Sequence, residues 1–129
     1  MDNDGKVDIV ASGNESPLGN ADTVILYNDG TGNFGARKTI IPSVPAYLSP
    51  VDFTVIDKAP DEKVLLLGRV SGDYSSQAVQ VYNLKTNTST IAWTGDRAWV
   101  EWWLPVIKNG VKGITPFATT RNATVFVSP

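Results

Sequence analysis

The residues best suited to chemistry stand at the amino terminus, in Asp2-Asn3-Asp4-Gly5-Lys6-Val7-Asp8. Asp2 and Asp4 are alternate residues, Asp8 follows at a four-residue step, and Gly5 lies between. A hard cation such as calcium takes several oxygen ligands from a short, sharply turning loop. Asp2, Asp4 and Asp8 can supply side-chain oxygens and Lys6 its backbone carbonyl, while Gly5 permits the positive φ that the turn needs. Ile9 and Val10 then begin a strand, which ties the loop to something stiff. The same aspartates also suit a plainer role, because Asp side chains cap turns through hydrogen bonds to nearby backbone.

A second group is aromatic. Trp99, Trp102 and Trp103 cluster late in the chain, with Trp93 and Tyr74 elsewhere, and indole rings stack on sugar faces. Strand alternation puts Trp99, Glu101 and Trp103 on one face and Val100, Trp102 and Leu104 on the other. The first three form the candidate ligand-binding set. Large aromatics are equally the expected filling between packed sheets. Glu101 with Asp96 and Arg97 reads as a solvated loop, since nothing fixes the carboxylate separation that glycosidase chemistry needs.

Composition narrows the function classes. The chain of 129 residues suits one domain, and 42% apolar residues suffice for a core. The formal net charge of −2, with no basic run, gives nothing to draw the chain to nucleic acid or an anionic membrane. No apolar run approaches the roughly 20 residues of a membrane-spanning helix, and no signal peptide is visible. Cysteine and histidine are both absent. A Ser-His-Asp triad, a histidine-bound zinc and a cysteine nucleophile are therefore excluded, and the expectation is a non-catalytic protein.

The elements that must position these residues are strands. Abundant Asn, Thr, Ser and Gly favour turns and short strands over helices. Strands are predicted from residue 9 to about 13, then over 23–27, 36–41, 51–57, 64–67, 78–83, 89–93, 99–107, 111–118 and 124–127. The stretch 58–62 reads as a loop around Pro60, and Lys108-Asn109-Gly110 as a hairpin turn. Val64-Leu65-Leu66-Leu67 is continuously apolar, which fits a strand covered on both faces.

These strands recur. Lys6-Val7-Asp8-Ile9-Val10 matches Lys63-Val64-Leu65-Leu66-Leu67, and Asn109-Gly110-Val111-Lys112-Gly113-Ile114 falls on the same motif. Val24-Ile25-Leu26-Tyr27-Asn28 matches Val79-Gln80-Val81-Tyr82-Asn83, with Thr124-Val125-Phe126-Val127 as a third copy. The period of roughly 45 to 57 residues suits propeller blades of four strands. The expected organisation is a single all-β domain of repeated antiparallel blades, approximately 1–46, 47–97 and 98–129. The alternative is a β-sandwich. Two to three blades cannot close a ring, so the chain is expected either to pair with a second copy of itself or to be a piece of a larger protein.

The acidic stretch carries most of the pattern Asp-x-Asp-x-Asp-Gly-x-x-Asp, whose first aspartate would precede Met1. It resembles the calcium loop of the FG-GAP and VCBS repeats found in integrin-α and bacterial surface propellers. Asn28, Gly30, Gly32 and Phe34 fall at the places of the Asn-x-Gly-x-Gly-x-Phe segment that follows in VCBS-type repeats. The two motifs together cover about the first third of the chain. The resemblance implies an incomplete β-propeller on an extracellular surface. It also implies structural calcium at Asp2, Asp4, Lys6 and Asp8, and recognition of a protein or glycan. An accessory domain of a secreted carbohydrate-active enzyme, or a structural scaffold, are the other expectations. The corresponding loops at 57–62 and 108–110 lack the ligand spacing, so calcium is expected at the first loop alone.

Overall fold

The computed structural model describes residues 1–2, 4–12, 22–47, 49–73, 75–96, 103–116 and 125–129. Within them the chain is all-β and antiparallel, without a helix. Strands β1 (Ile9–Ser12), β2 (Thr23–Leu26) and β3 (Lys38–Ile41) form one sheet in chain order. Strands β4 (Ser49–Ala59), β5 (Glu62–Val70), β6 (Ser76–Asn83) and β7 (Thr88–Asp96) form a second, again in chain order. Strands β8 (Trp103–Lys108) and β9 (Val111–Pro116) form a third, extended by a bridge from Ile114 to Val127. The described strands close no ring.

Local chemistry fixes the turns. Asn109 and Gly110 both have positive φ, 50° and 78°, the geometry of a two-residue hairpin whose twist matches its strands. Between β4 and β5 only Pro60 and Asp61 turn the chain, so most of the stretch read as a loop is strand. Proline sits where no ladder hydrogen bond is asked of it, and the ladder resumes at once. The first predicted strand is described as far as Ser12, and the one predicted over 99–107 from Trp103 onward.

The middle sheet holds the structure together. Its β5 reads Val64-Leu65-Leu66-Leu67, and all four side chains are buried. Alternation sends Leu65 and Leu67, with Tyr82 of β6, towards Ile25 and Ile41 of the first sheet. Val64 and Leu66, with Ile56, Val79 and Val81, go the other way and meet Trp103, Ile114 and Val127. A strand covered on both faces was expected here, and the two clusters are its physical form. Each such aliphatic side chain contributes about 1.5–3 kcal/mol when fully buried.

Further along β5 the same face turns polar. Arg69 is 0% exposed, and its Nε donates to the Tyr47 carbonyl at 2.7 Å. Burial pushes its guanidinium down and the Asp22 carboxylate pulls it back up, with a net lowering. Gln80 on β6 donates from Nε2 to Ser89 Oγ at 2.8 Å and to the Pro42 carbonyl at 3.3 Å. The connector between β3 and β4 is thereby fastened to the middle sheet.

Candidate functional site

The amino-terminal loop is built from nested aspartate turns. The Asp4 amide donates to Asp2 Oδ1 at 3.2 Å, and the Lys6 amide to Asp4 Oδ1 at 2.8 Å. Each side chain thus caps the backbone two residues on. Gly5 lies between them at φ 78°, where a Cβ would be strained. Asp8 closes the loop: its Oδ1 accepts the Asn28 amide at 3.0 Å, tying the loop to the end of β2. The turn after β2 is made the same way. Asn28 Oδ1 takes the Gly30 amide at 2.8 Å, and Asp29 Oδ1 takes the Thr31 amide at 2.8 Å and the Thr31 hydroxyl at 2.6 Å.

Each loop carboxylate meets a cation of the chain itself. Asp8 Oδ2 accepts from the Met1 ammonium, and Asp2 Oδ2 from the Arg37 guanidinium. Lys6 Nζ lies 3.5 Å from Asp4 Oδ2 and donates to the Asp29 carbonyl at 3.3 Å. Arg37 is held in turn over the Tyr27 ring, 4.4 Å from its centroid, and the Tyr27 hydroxyl bonds Thr39 Oγ1 at 2.9 Å. Burial raises the Asp8 carboxyl, but the Met1 ammonium and the Asn28 amide outweigh it, and the group ends below the usual carboxylate range. Asp2 shows the same balance, with Arg37 and the Asp4 amide outweighing burial.

The donor set is all oxygen, which suits calcium and not a softer metal. Among the described residues no three acidic side chains converge closely enough to hold a metal ion. The carboxylates are turned towards Met1, Lys6 and Arg37, so a calcium ion at this loop would have to take their place. The sequence brought Asp2, Asp4, Lys6 and Asp8 into view together, and the structure places them on one loop. It missed Arg37, which approaches from beyond β2, and although Asn28 was placed in the second motif, its bond to Asp8 was not foreseen. The available signal for Arg37 was its place just after the glycine-rich turn that carries that motif.

The aromatic set divides. Trp103 is 3% exposed, in the cluster that joins the second and third sheets. Its ring meets Trp93 edge to face, with centroids 5.5 Å apart and planes at 72°. Its indole is therefore a packing element and is not offered to a ligand. Trp99, Glu101 and Trp102 lie outside the described residues. Of the stretch 99–104 only Trp103 and Leu104 are described, and they face opposite ways, Trp103 buried and Leu104 exposed; alternation could not say which face turns inward.

Comparison with protein-family models, with curated proteins and with solved structures gave no match.

Proposed function

We propose that the chain is a non-catalytic binding module built from propeller-type blades of the FG-GAP/VCBS kind, steadied by calcium at its acidic loop and recognising a protein or glycan on an extracellular surface. The observation that carries this reading is the loop itself. Asp2 and Asp4 bend it through successive backbone hydrogen bonds around Gly5, and Asp8 pins it to Asn28 at the head of the next motif. Alternate carboxylates on a glycine-hinged turn, running straight into β1, are what a calcium loop requires of a sequence. Sheets of consecutive antiparallel strands, packed through apolar clusters on both faces of the middle one, support the blade part of the reading.

The role of calcium is to replace the chain's own cations with one that binds all the loop oxygens together. The loop would then be locked in a single conformation, and Arg37 and Lys6 released. A glycan array probed with and without calcium, beside a polysaccharide-hydrolysis assay, tests the function. Calcium-dependent retention of one glycan class without turnover is the expected result for a glycan ligand. Turnover would contradict the non-catalytic reading. A Trp99→Ala variant that loses retention would locate the ligand at the aromatic stretch.

A further inference from the structure

We propose that Asn109 is a self-modification site: its side-chain amide condenses with the Gly110 backbone nitrogen to a cyclic imide, and water then opens the imide to aspartate and isoaspartate. Three observations carry this. First, Asn109 alone among the described asparagines has an unheld side chain. Asn28 Oδ1 accepts the Gly30 amide, Asn33 Oδ1 the Gly35 amide, Asn83 Oδ1 the Lys85 amide and Asn87 Oδ1 the Tyr82 hydroxyl. Each bond restrains the side chain that accepts it. Among the described residues the Asn109 amide has no hydrogen-bond partner, and the residue is exposed to water.

Second, the neighbouring nitrogen is free to attack. Asn109-Gly110 is the one Asn-Gly pair in the chain. The β8–β9 ladder closes at the Lys108–Val111 pair, so the Gly110 N–H lies outside it. Gly110 has no Cβ to shield its nitrogen. A Cβ built there would meet nothing within 4 Å, so the tip of the turn stands in open space.

Third, the hairpin can open at its tip without disturbing the core. Trp103 at the start of β8 and Ile114 in β9 are buried, whereas Ile107 is 70% and Val111 48% exposed. Lys108 and Lys112 are exposed as well. Few apolar contacts hold these last pairs, so opening them costs far less than unfolding the protein. Opening is required, because the Gly110 nitrogen must swing towards Asn109 Cγ and away from the geometry that the two positive φ angles impose.

The chemistry balances with water as the one co-reactant. The Gly110 amide gives up its proton and its nitrogen attacks Asn109 Cγ. An N–Cγ bond forms, the Cγ–Nδ2 bond breaks, and Nδ2 leaves as ammonia with that proton. Water then adds to either imide carbonyl. Addition at Cγ restores the original main chain with an aspartate. Addition at the backbone carbonyl leaves Gly110 joined through Cγ, an isoaspartate with one more carbon in the main chain. Either product adds a negative charge to a chain of formal net charge −2. The isoaspartate also lengthens a two-residue turn whose fit depends on its length, and so loosens the Lys108–Val111 pair. No loop carboxylate takes part, so the site is independent of the calcium reading.

The test ages the parent chain in mildly alkaline buffer, folded and in urea. Proteolysis and fragmentation mass spectrometry locate each converted residue, and an isoaspartyl methyltransferase counts the isoaspartate. In the folded chain Asn109 should convert at least about tenfold faster than Asn28, Asn33, Asn83 or Asn87, and within about tenfold of its own rate in urea. Conversion should quicken as pH rises, because the attacking nitrogen must lose its proton. Gly110→Ala should slow it by about tenfold or more, since a Cβ crowds that nitrogen. Should the variant not fold, the comparison of the parent folded and in urea decides alone. Conversion of Asn109 in urea but not in the folded chain would show that the turn protects it and overturn the proposal. So would equal conversion at any of the other four, or a folded Gly110→Ala variant that converts as fast as the parent.

Discussion

The indole of Trp103 packs against the bare backbone of Gly68: a Cβ built on that glycine would come within 2.6 Å of Trp103 Nε1. The contact joins β5 to β8 across the apolar layer between the second and third sheets. The tryptophan can be fully buried because the residue beneath it has no side chain.

Gly68→Ala should therefore destabilise the fold by about 1–3 kcal/mol, the usual cost of forcing extra volume into a packed core. Trp103→Ala should cost about 3–5 kcal/mol through the cavity it leaves. The double variant should cost less than the sum, because the alanine methyl then projects into vacated space. Urea unfolding of the three variants measures this. Additive losses would show that the two residues do not meet.

Asp52 ties the same two sheets through a different bond. Its Oδ2 accepts the Trp103 amide at 2.9 Å, while its Oδ1 takes the Phe53 amide at 2.8 Å. Asp52→Ala leaves the Trp103 amide without this acceptor, and the expected loss is about 1.5–3 kcal/mol, the range for a hydrogen bond to a charged group. Near-ultraviolet circular dichroism should report it as well, since Trp103 and Trp93 lie edge to face. An unchanged aromatic spectrum and an unchanged urea midpoint would remove Asp52 from the packing of β8.

The loop after β5 has its own pH signature. Asp73 accepts from the hydroxyls of Ser71 and Ser75 and from the Ser75 amide, and these bonds lower its pKa to about 2. A carboxyl depressed in the folded state stabilises the fold above its unfolded pKa of about 3.9, and that contribution is lost as pH falls towards about 2. Asp73→Asn should be less stable than the parent at neutral pH, and the difference should shrink between about pH 4 and pH 2. Thermal melts at several pH values check this. A difference that grew on acidification would contradict the assignment.

Much of the strand pattern was legible because it is local. The continuous apolar run at 64–67, the alternation of β2, and Asn109-Gly110 each carry their structure in a few neighbouring residues. The all-β class followed from them. What could not be read depends on residues far apart in the chain. Arg69 would be placed on a surface by its type, yet it is buried because the Tyr47 carbonyl comes to meet it. Trp103 was assigned to a ligand face because alternation fixes only which residues share a face. Arg37 lies 35 residues from Asp2, and no local pattern foretells that ion pair.

That ion pair makes a sharp prediction for the acidic loop. Arg37 is largely exposed, so Arg37→Ala should cost at most about 1 kcal/mol in the presence of chelator. In calcium the same change should help, because Asp2 no longer has to surrender a guanidinium before it can ligate the ion. A variant less stable than the parent in chelator but tighter in calcium binding is the expected outcome, read by calorimetric titration. Equal affinity for both proteins would show that Arg37 and calcium do not compete.

The most direct measurement is the melting temperature of the parent chain in calcium and in excess chelator, with Asp4→Asn as control. Binding at free calcium about 100 times Kd adds about 2.7 kcal/mol to the folded state, a rise of roughly 8 °C for a chain of this length. The account predicts that rise for the parent and a much smaller one for Asp4→Asn. Identical melting of the parent in calcium and in chelator would contradict it, leaving the acidic loop to Met1, Lys6 and Arg37 among the described residues.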